Sequence, residues 1–307
     1  MLPDVSYLIL NYNPAGEAVA RDVLAATLKA FYERKSKNLR AEVFLCDQGS
    51  PDFHRSWLLE RQKQYGFSSL LLNRNIGISR ALNLFIRICK SPVVALITSD
   101  VLITTGMDED LYEIVQIPEV YQATPYTDKS DVDYQIWRPE REYGGDNLDF
   151  ESLKRVKDSL LRRFLGGRER RYLRYIGAEF NVMFWRRSIF EKVGYFDESW
   201  KAAYENNDFS LRCFLAGGCT ALSLGSFVWH YHKVTEKNQS REQTYLGYVD
   251  NWREEMKRLW DEKWPKLRDY VDIYKPLGNK TITDFPDLRA RFQDNIYLPF
   301  EQPIEYD

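Results

Sequence analysis

Short apolar segments alternate with helix-like segments from residue 5 to residue 100, and this alternation leaves few folds open. The apolar segments are Tyr7–Leu10, Val43–Cys46, Leu70–Leu72 and Val93–Thr98. The last is continuously apolar, as expected of a parallel strand buried on both faces. Apolar residues at helical spacing lie between them, from Ala20 to Phe31 and from Ile78 to Cys89. We predict an α/β fold with a doubly wound, mostly parallel sheet and flanking helices.

The 307 residues are enough for one large domain with an extension. We predict a globular domain over residues 1–235, interrupted by a charged, Gly-containing insertion at 127–172. Residues 236–307 are predicted to form a helix and then an irregular tail that packs on the core. A capping-box pattern at Ser240–Gln243 opens this helix and Pro265 ends it.

The overall charge does not indicate a polyanion-binding protein, because the net charge is −2 and the isoelectric point is near 6.1. The charge of the insertion differs from that of the chain as a whole. Between Lys154 and Arg174 there are nine Lys or Arg residues against two acids, Asp158 and Glu169. Two interpretations remain open for this segment: a solvated helix face, or a contact with an anionic partner such as a phospholipid surface, a nucleic acid or a phosphorylated polymer.

The four cysteines lie at unrelated spacings inside apolar stretches, which favours buried thiols in a reducing compartment over disulfides. No apolar run reaches the roughly 18 residues that a membrane-spanning helix needs. The chain also begins without a basic segment or cleavage site typical of a signal peptide. We therefore expect a cytoplasmic protein without a transmembrane segment, and peripheral attachment to a membrane stays open.

Polar residues cluster where the predicted strands end. They are Asn11 and Asn13, Asp47, Arg74 with Asn75 and Gly77, and Thr98 with Ser99 and Asp100. Because the carboxyl ends of parallel strands meet at one edge, these clusters predict a ligand-binding crevice there. Asp47 could accept hydrogen bonds from a nucleobase or a ribose, or could equally cap the turn after its strand.

The segments YLILNYNPAG, VFLCDQGSPD, LNRNIGISRALN and ALITSDV occur in this order along the chain. Together they resemble the family-2-type glycosyltransferases of the GT-A fold, over roughly residues 5–232. The resemblance implies a nucleotide-diphosphate sugar as donor, with UDP favoured. It also implies that Asp47 contacts the base, that Asn75–Gly77 lies along the nucleotide, and that an Asp-x-Asp signature binds ribose and metal.

Only the last acid of that signature is present, in Thr98-Ser99-Asp100. By resemblance, Asp100 binds Mn²⁺ or Mg²⁺, and a hard cation of this kind neutralises a departing diphosphate. Thr98 can still bind a ribose hydroxyl. A single carboxylate calls for a second ligand, and the family often uses a His after the last core strand, which points to His230 and His232. The third histidine, His54, lies in a polar stretch that we interpret as surface.

The stretch from Gly194 to Arg212 resembles the acceptor-side motif of the same family. The catalytic candidates there are Glu205 and Asp208, although Asp208 and Arg212 also have the spacing of a structural ion pair. Asn206 occupies the position of the usual base, and an amide cannot accept a proton. Either Glu205 or Asp208 acts as base with inversion, which we favour, or no base is needed. The second mechanism is retaining, as in the polypeptide N-acetylgalactosaminyltransferases that this stretch also resembles.

These residues together predict a metal-dependent hexosyl- or N-acetylhexosaminyltransferase acting on an acceptor hydroxyl. The acceptor stays open between a polysaccharide, a lipid-linked glycan, a protein and a nucleic acid. One alternative is a catalytically inactive sugar-nucleotide-binding protein, because Thr98 and Asn206 replace expected acids. A nucleotidyltransferase fits less well, because Asn11–Gly16 contains one glycine and no nearby basic residue.

Overall fold

The computed structural model describes residues 2–14, 16–130, 132–136, 171–200, 203–231 and 252–298. The strands are β1 (Val5–Asn11), β2 (Ala41–Gln48), β3 (Ser68–Leu72), β4 (Val93–Thr98), β5 (Val101–Ile103), β6 (Val120–Thr127), β7 (Tyr172–Tyr175), β8 (Val182–Arg186) and β9 (Cys219–His230). The α-helices are α1 (Ala18–Arg34), α2 (Asp52–Tyr65), α3 (Ile78–Ile88), α4 (Met107–Val115), α5 (Ile189–Val193), α6 (Glu205–Leu215), α7 (Trp252–Lys263) and α8 (Pro286–Phe292). Single 3-10 turns lie at Asp133–Gln135, Leu267–Asp269, Ile282–Asp284 and Gln293–Asn295.

Across the described ranges the strands form one nine-stranded sheet in the order β3-β2-β1-β4-β8-β6-β9-β5, and β7 pairs with β9. Strands β3, β2, β1 and β4 are parallel to one another, and β8 is antiparallel to both β4 and β6. The predicted α/β fold is thus confirmed, and the sheet becomes mixed beyond β4.

Both faces of the sheet are covered by helices, which explains why its central strands are apolar throughout. Side chains of a strand alternate between faces. Tyr7 and Ile9 of β1 accordingly pack in one core cluster, with Leu28 of α1, whereas Leu8 packs in another, with Phe85 of α3. The polar residues lie instead at the carboxyl ends of the parallel strands.

The last described segment packs on the core instead of extending away from it. The backbone N–H of Gly177 donates to Ile273 O at 2.9 Å, and that of Leu277 donates to Arg174 O at 2.8 Å. Trp264 and neighbouring apolar residues of this segment belong to the main core cluster. Helix α7 ends at Lys263, shortly before the predicted stop at Pro265.

Several sequence predictions concern residues outside the described ranges. These are most of the 127–172 insertion with its basic stretch, the helix start at Ser240–Gln243, and the boundary at residue 235. The four cysteines are all described, and they are buried and unpaired as expected. No helix in the described parts of the chain has the length and apolarity needed to cross a membrane.

Candidate active site

Asn11 and Asp47 are neighbours at the carboxyl ends of β1 and β2. They are paired in the parallel register, and Nδ2 of Asn11 donates to Oδ1 of Asp47 at 2.7 Å. The backbone N–H of Ser50 donates to Oδ2 of Asp47 at 3.1 Å, and Nε of Arg55 lies 3.6 Å from the same oxygen. The Asp47 carboxylate has no exposed surface. In this geometry it caps the turn after β2, which is the structural role that the sequence left open.

The interpretation of His54 as a surface residue is wrong. It lies in α2, fully buried, with Nε2 3.2 Å from Nδ2 of Asn11. Because an amide N–H donates, Nε2 accepts and we assign the ring proton to Nδ1. Burial lowers the pKa of His54 more than the nearby Asp47 raises it, so the ring is neutral. His54 therefore holds Asn11, which in turn holds Asp47.

The turn before α3 lies directly against the turn after β2. A Cβ atom built on Gly49 would lie 2.8 Å from the Cα of Arg74, so the two backbones touch. Oδ1 of Asn75 accepts the backbone N–H of Gly77 at 2.8 Å, and Gly77 has a φ of 86°. The Arg74 side chain is exposed at this edge. The structure thus brings Asp47 and the Arg74–Gly77 segment together, as predicted from the strand order.

The remaining residues predicted to bind the nucleotide are partly engaged by the backbone. Asn13 caps the segment before α1, because its Oδ1 accepts Glu17 N at 2.9 Å. The Thr98 hydroxyl donates to Asn181 O at 3.2 Å, and its oxygen can still accept a hydrogen bond. The Ser99 carbonyl accepts the Thr27 hydroxyl at 2.9 Å.

Asp100 and His230, which the sequence analysis assigned to a metal, are neighbours at a place that we call the metal corner, where β5 begins beside the end of β9. Oδ2 of Asp100 lies 3.3 Å from Nε2 of His230. Two ligands of one ion, each about 2.1 Å from it and roughly at right angles, are about 3 Å apart. Nδ1 of His230 lies 3.0 Å from Lys129 O, so this carbonyl orients the ring with Nε2 towards Asp100. The geometry of this pair therefore fits a divalent cation.

Electrostatics strengthen the pairing. Burial of His230 disfavours its charged form, but the Asp100 carboxylate beside it outweighs burial and raises the pKa of His230 to about 9. A metal ion bound here would replace the proton on Nε2, because metals bind the neutral imidazole. Asp100 is partly exposed, with 19% of its side-chain surface accessible, so an ion can approach from solvent. His232, the third predicted ligand, lies outside the described residues. Within those residues, no three His, Cys, Asp or Glu side chains come together as a metal cluster.

Asp128, at the end of β6, belongs to this corner although the sequence analysis did not select it. Its Oδ1 accepts the backbone N–H of His230 at 2.6 Å. Its Oδ2 is buried and has no hydrogen-bond partner within the described ranges. Burial raises the pKa of Asp128 to about 6. An acid at or just past the carboxyl end of a strand, as at Asp47 and Asp100, was the signal that could have identified it.

Glu205 is the first residue of α6 and sits in an unusual environment. Its Oε2 is buried and accepts no hydrogen bond from the part of the chain that is described. Burial raises the pKa of Glu205 to about 7, so the side chain can exchange a proton near neutral pH. The preceding residue, Tyr204, has a φ of 67°, a strained backbone conformation for a residue other than glycine.

Asp208 has a different environment from Glu205. It is fully buried, and its Oδ2 accepts Nε of Arg212 at 3.0 Å, the ion pair that the spacing predicted. Its Oδ1 is contacted by Nζ of Lys263 at 2.7 Å and by Nε1 of Trp264 at 3.0 Å. Both oxygens are therefore already engaged by cationic or N–H groups. The sequence analysis predicted the contact with Arg212, but not the contacts with Lys263 and Trp264 of the C-terminal segment.

The loop before β8 connects the metal corner to the start of α6. The carbonyl of Asn181 accepts the backbone N–H of Thr98 at 3.0 Å, at the end of β4. Three residues earlier, the carbonyl of Ala178 accepts Nδ2 of Asn206 at 2.8 Å. Residues 178–181 therefore link the first turn of α6, which begins at Glu205, to the sheet edge that carries Asp100.

The sequence profile named "Glycosyl transferase family 2" matches residues 6–194, more than half of the chain. The chain belongs to glycosyl transferase family 2. The match covers the parallel half of the sheet and ends at Gly194, before α6 and β9. In this family-2 chain, Glu205 and His230 therefore lie outside the segment that the profile matches.

Solved structures with the same fold include GalNAc-T7 with UDP, GalNAc and Mn²⁺, at a TM-score of 0.61 and 15% identity. The match covers 97% of this family-2 chain but 56% of the GalNAc-T7 chain. The mannosyltransferase PcManGT from Pyrobaculum calidifontis, in complex with GDP-Man and Mn²⁺, has a TM-score of 0.56 at 15% identity, covering 95% of this chain and 69% of its own. TarS 1-349 of S. aureus, in complex with UDP-GlcNAc, has a TM-score of 0.54 at 11% identity, covering 95% and 72%.

At these identities the likeness shows the fold alone, which is the GT-A fold expected from the sequence. None of the curated proteins compared with the chain matches it.

Proposed function

We propose that this chain transfers a hexosyl or N-acetylhexosaminyl group from a nucleoside-diphosphate sugar, with UDP favoured, to an acceptor hydroxyl. The observation that carries the proposal is the Asp100–His230 pair, 3.3 Å apart at the carboxyl-end edge of the sheet. Family membership supports the reaction class, and the similar folds crystallised with UDP, GDP-Man or UDP-GlcNAc support the donor class. Four unpaired, buried thiols suit a reducing compartment such as the cytoplasm.

The donor is assigned to the edge formed by the strand ends. The turn after β2 and the Arg74–Gly77 turn lie in backbone contact, so one nucleotide can touch both. The exposed guanidinium of Arg74 suits a diphosphate, since it offers a planar set of N–H donors. Thr98 and Ser99 are assigned to the ribose, with Asn11, Asn13 and Asp47 shaping the base pocket.

Asp100 and His230 would hold Mn²⁺ or Mg²⁺, and the bound ion would offset the negative charge that develops on the leaving diphosphate. The Lys129 carbonyl orients the imidazole, and Asp128 fixes the backbone of His230 through its 2.6 Å hydrogen bond. His232 remains a candidate ligand.

Glu205 is the base that we assign, and inversion follows from that choice. Asn206 donates its amide N–H to Ala178 O, so it serves to join α6 to the loop before β8. Asp208 is engaged at both oxygens by Arg212 and Lys263. Glu205 alone of the three has a carboxylate oxygen that lacks a partner in the described structure, and burial raises the pKa of Glu205 to about 7.

Donor hydrolysis tests the proposal without knowledge of the acceptor, because water can replace a missing hydroxyl. Purified protein is incubated with UDP-glucose, UDP-GlcNAc, UDP-GalNAc or GDP-mannose and Mn²⁺, and the released sugar is followed by ¹H NMR. Slow hydrolysis of one α-linked donor with first appearance of the β-anomer is the expected result. Release of the α-anomer would overturn inversion, and binding without hydrolysis, unaffected by Asp100→Ala, would favour an inactive nucleotide-sugar-binding protein.

A further inference from the structure

A cavity of about 830 Å³ lies between the start of α6 and the C-terminal segment. Tyr204 and Asn207, on either side of Glu205 and Asn206, line one wall. The opposite wall comes from α7 and the 3-10 turn that follows it. The volume is within the range of about 300–1,000 Å³ typical of small-molecule sites. Neither Glu205 nor the residues of the nucleotide edge line this cavity, but Tyr204 and Asn207 place it at the turn of α6 that carries the candidate base.

Aromatic rings form the inner part of this cavity. The rings of Tyr204 and Trp260 stack with their centroids 5.1 Å apart and their planes 25° apart. Trp264 lies 6.2 Å from Trp260, and the Tyr274 hydroxyl donates to Oδ1 of Asn207 at 3.0 Å. Broad apolar faces next to amide and hydroxyl groups suit a sugar ring, which has C–H faces and a rim of hydroxyls.

The rim of the cavity carries an excess of positive charge. Lys257 is paired with Asp261 at 2.6 Å and Lys275 with Asp272 at 3.6 Å, so these four side chains balance. Lys266 and Arg268 also line the cavity, and neither has an ion-pair partner within the described residues. Two cations that have no ion-pair partner in the described structure, in a chain of net charge −2, favour an anionic group on the ligand.

Backbone strain marks the same place. Tyr204, with a φ of 67°, and Lys266, with a φ of 55°, are the two non-glycine residues of the described chain that have positive φ. Both line this cavity. Such conformations are strained for residues other than glycine and concentrate at functional sites. Their shared location is a second reason, independent of charge, to regard the cavity as a binding site.

We propose that this cavity binds the acceptor, and that the acceptor is a saccharide bearing a carboxylate or phosphate group. The role of this ligand as an acceptor rests on the proposed function. Binding of an acidic saccharide to the cavity can be measured whether or not the protein is a transferase. The stacked rings of Tyr204 and Trp260 receive a sugar ring, and Lys266 with Arg268 pairs with its anionic group.

The test is a fluorescence titration of the full chain, without donor, which uses the tryptophans of the cavity as the signal. Three probes are compared: hexagalacturonate, a mannose pentasaccharide phosphate, and neutral cellohexaose. The variant K266Q/R268Q removes both uncompensated charges from exposed side chains. The matched control is R289Q/R291Q, which removes two exposed charges from α8, away from the cavity.

Saturable binding of at least one acidic probe, at least tenfold tighter than cellohexaose, is expected for the wild type. K266Q/R268Q should lose at least tenfold in affinity and R289Q/R291Q less than twofold. Preference for the uronate or for the phosphate identifies the source of the charge. Equal losses in both double variants, or equal affinity for cellohexaose, would overturn the proposal. A wild type that binds the probe but hydrolyses no donor would overturn the proposed function alone.

Discussion

Nζ of Lys263, the last residue of α7, lies 2.7 Å from Oδ1 of Asp208 in α6. The same ammonium group lies 2.6 Å from Oδ2 of Asp197, so it joins two segments that flank the candidate base. Nζ is only partly exposed, with 18% of the Lys263 side-chain surface accessible. The C-terminal segment is thus a structural part of the site, because its removal would leave the fully buried Asp208 with Arg212 as its remaining cation.

Replacement of Lys263 by Met should destabilise the protein by about 3 kcal/mol, because the buried Asp208 would lose one of its two described cations and Asp197 would lose its contact with Lys263. Thermal unfolding at pH 7 measures the change. Arg258→Met is the control on the same helix, since Arg258 makes an exposed i,i+4 pair with Glu262 at 2.5 Å and should cost less than about 1 kcal/mol. Equal effects of the two substitutions would contradict the assigned role of Lys263.

Glu205→Gln should lower turnover at least ~100-fold while the affinity for the donor stays near that of the wild type, because an amide cannot take the acceptor proton. In the wild type, kcat/KM should rise with pH and level off above a midpoint near 7, the raised pKa of Glu205. Steady-state rates and nucleotide titrations separate the two effects. Loss of nucleotide binding in Glu205→Gln would instead refute the role of Glu205 as base.

Burial of Glu205 also predicts a pH-dependent stability difference. In the folded protein its pKa is about 7, against an ordinary value of 4.5 in the unfolded chain. Between these values the unfolded chain binds fewer protons, so Glu205 lowers the free energy of unfolding as the pH rises. Glu205→Gln should therefore be more stable than the wild type by about 3 kcal/mol at pH 8 and equally stable near pH 4.5.

Calorimetric Tm values at pH 4.5 and pH 8 provide the measurement. Glu60→Gln, at an exposed position of α2, is the control and should show no such trend. The compared quantity is the Tm of Glu205→Gln minus that of the wild type. If this difference were smaller at pH 8 than at pH 4.5, the Glu205 carboxylate would be favourably solvated or paired.

Arg74→Gln should weaken binding of UDP roughly tenfold, because a charge-assisted hydrogen bond contributes about 1.5–3 kcal/mol and about 1.4 kcal/mol corresponds to a factor of ten. The side chain is exposed, so Tm should not change. Isothermal titration with UDP and Mn²⁺ checks the affinity. Lys63→Gln, at another exposed site, is the control. Unchanged UDP affinity in Arg74→Gln would remove this residue from the donor site.

The parallel half of the fold and the strand-end clusters were predictable, because both depend on local patterns. A buried parallel strand is apolar for most of its length, and a polar residue at or just past its carboxyl end, such as Asp47 or Asp100, lies at the ligand edge. The Asp208–Arg212 pair was visible for a similar reason, since residues four apart meet on a helix.

The contacts that cross the chain were not predictable from local patterns. Lys263 pairs with Asp208 from a segment that a single sequence does not connect to α6. His54 was assigned to a loop because its neighbours are polar, although its i,i+4 relation to Leu58 marks the one buried side of α2. Asp128 was overlooked because β6 was not recognised as a strand of the sheet.

A crystal of the protein soaked with UDP and Mn²⁺, with data collected near the manganese edge, tests the metal corner most directly. We predict an anomalous peak about 2 Å from both Oδ2 of Asp100 and Nε2 of His230, next to the diphosphate. Bound UDP without an anomalous peak at this corner, together with donor hydrolysis that a chelator does not reduce, would contradict the account.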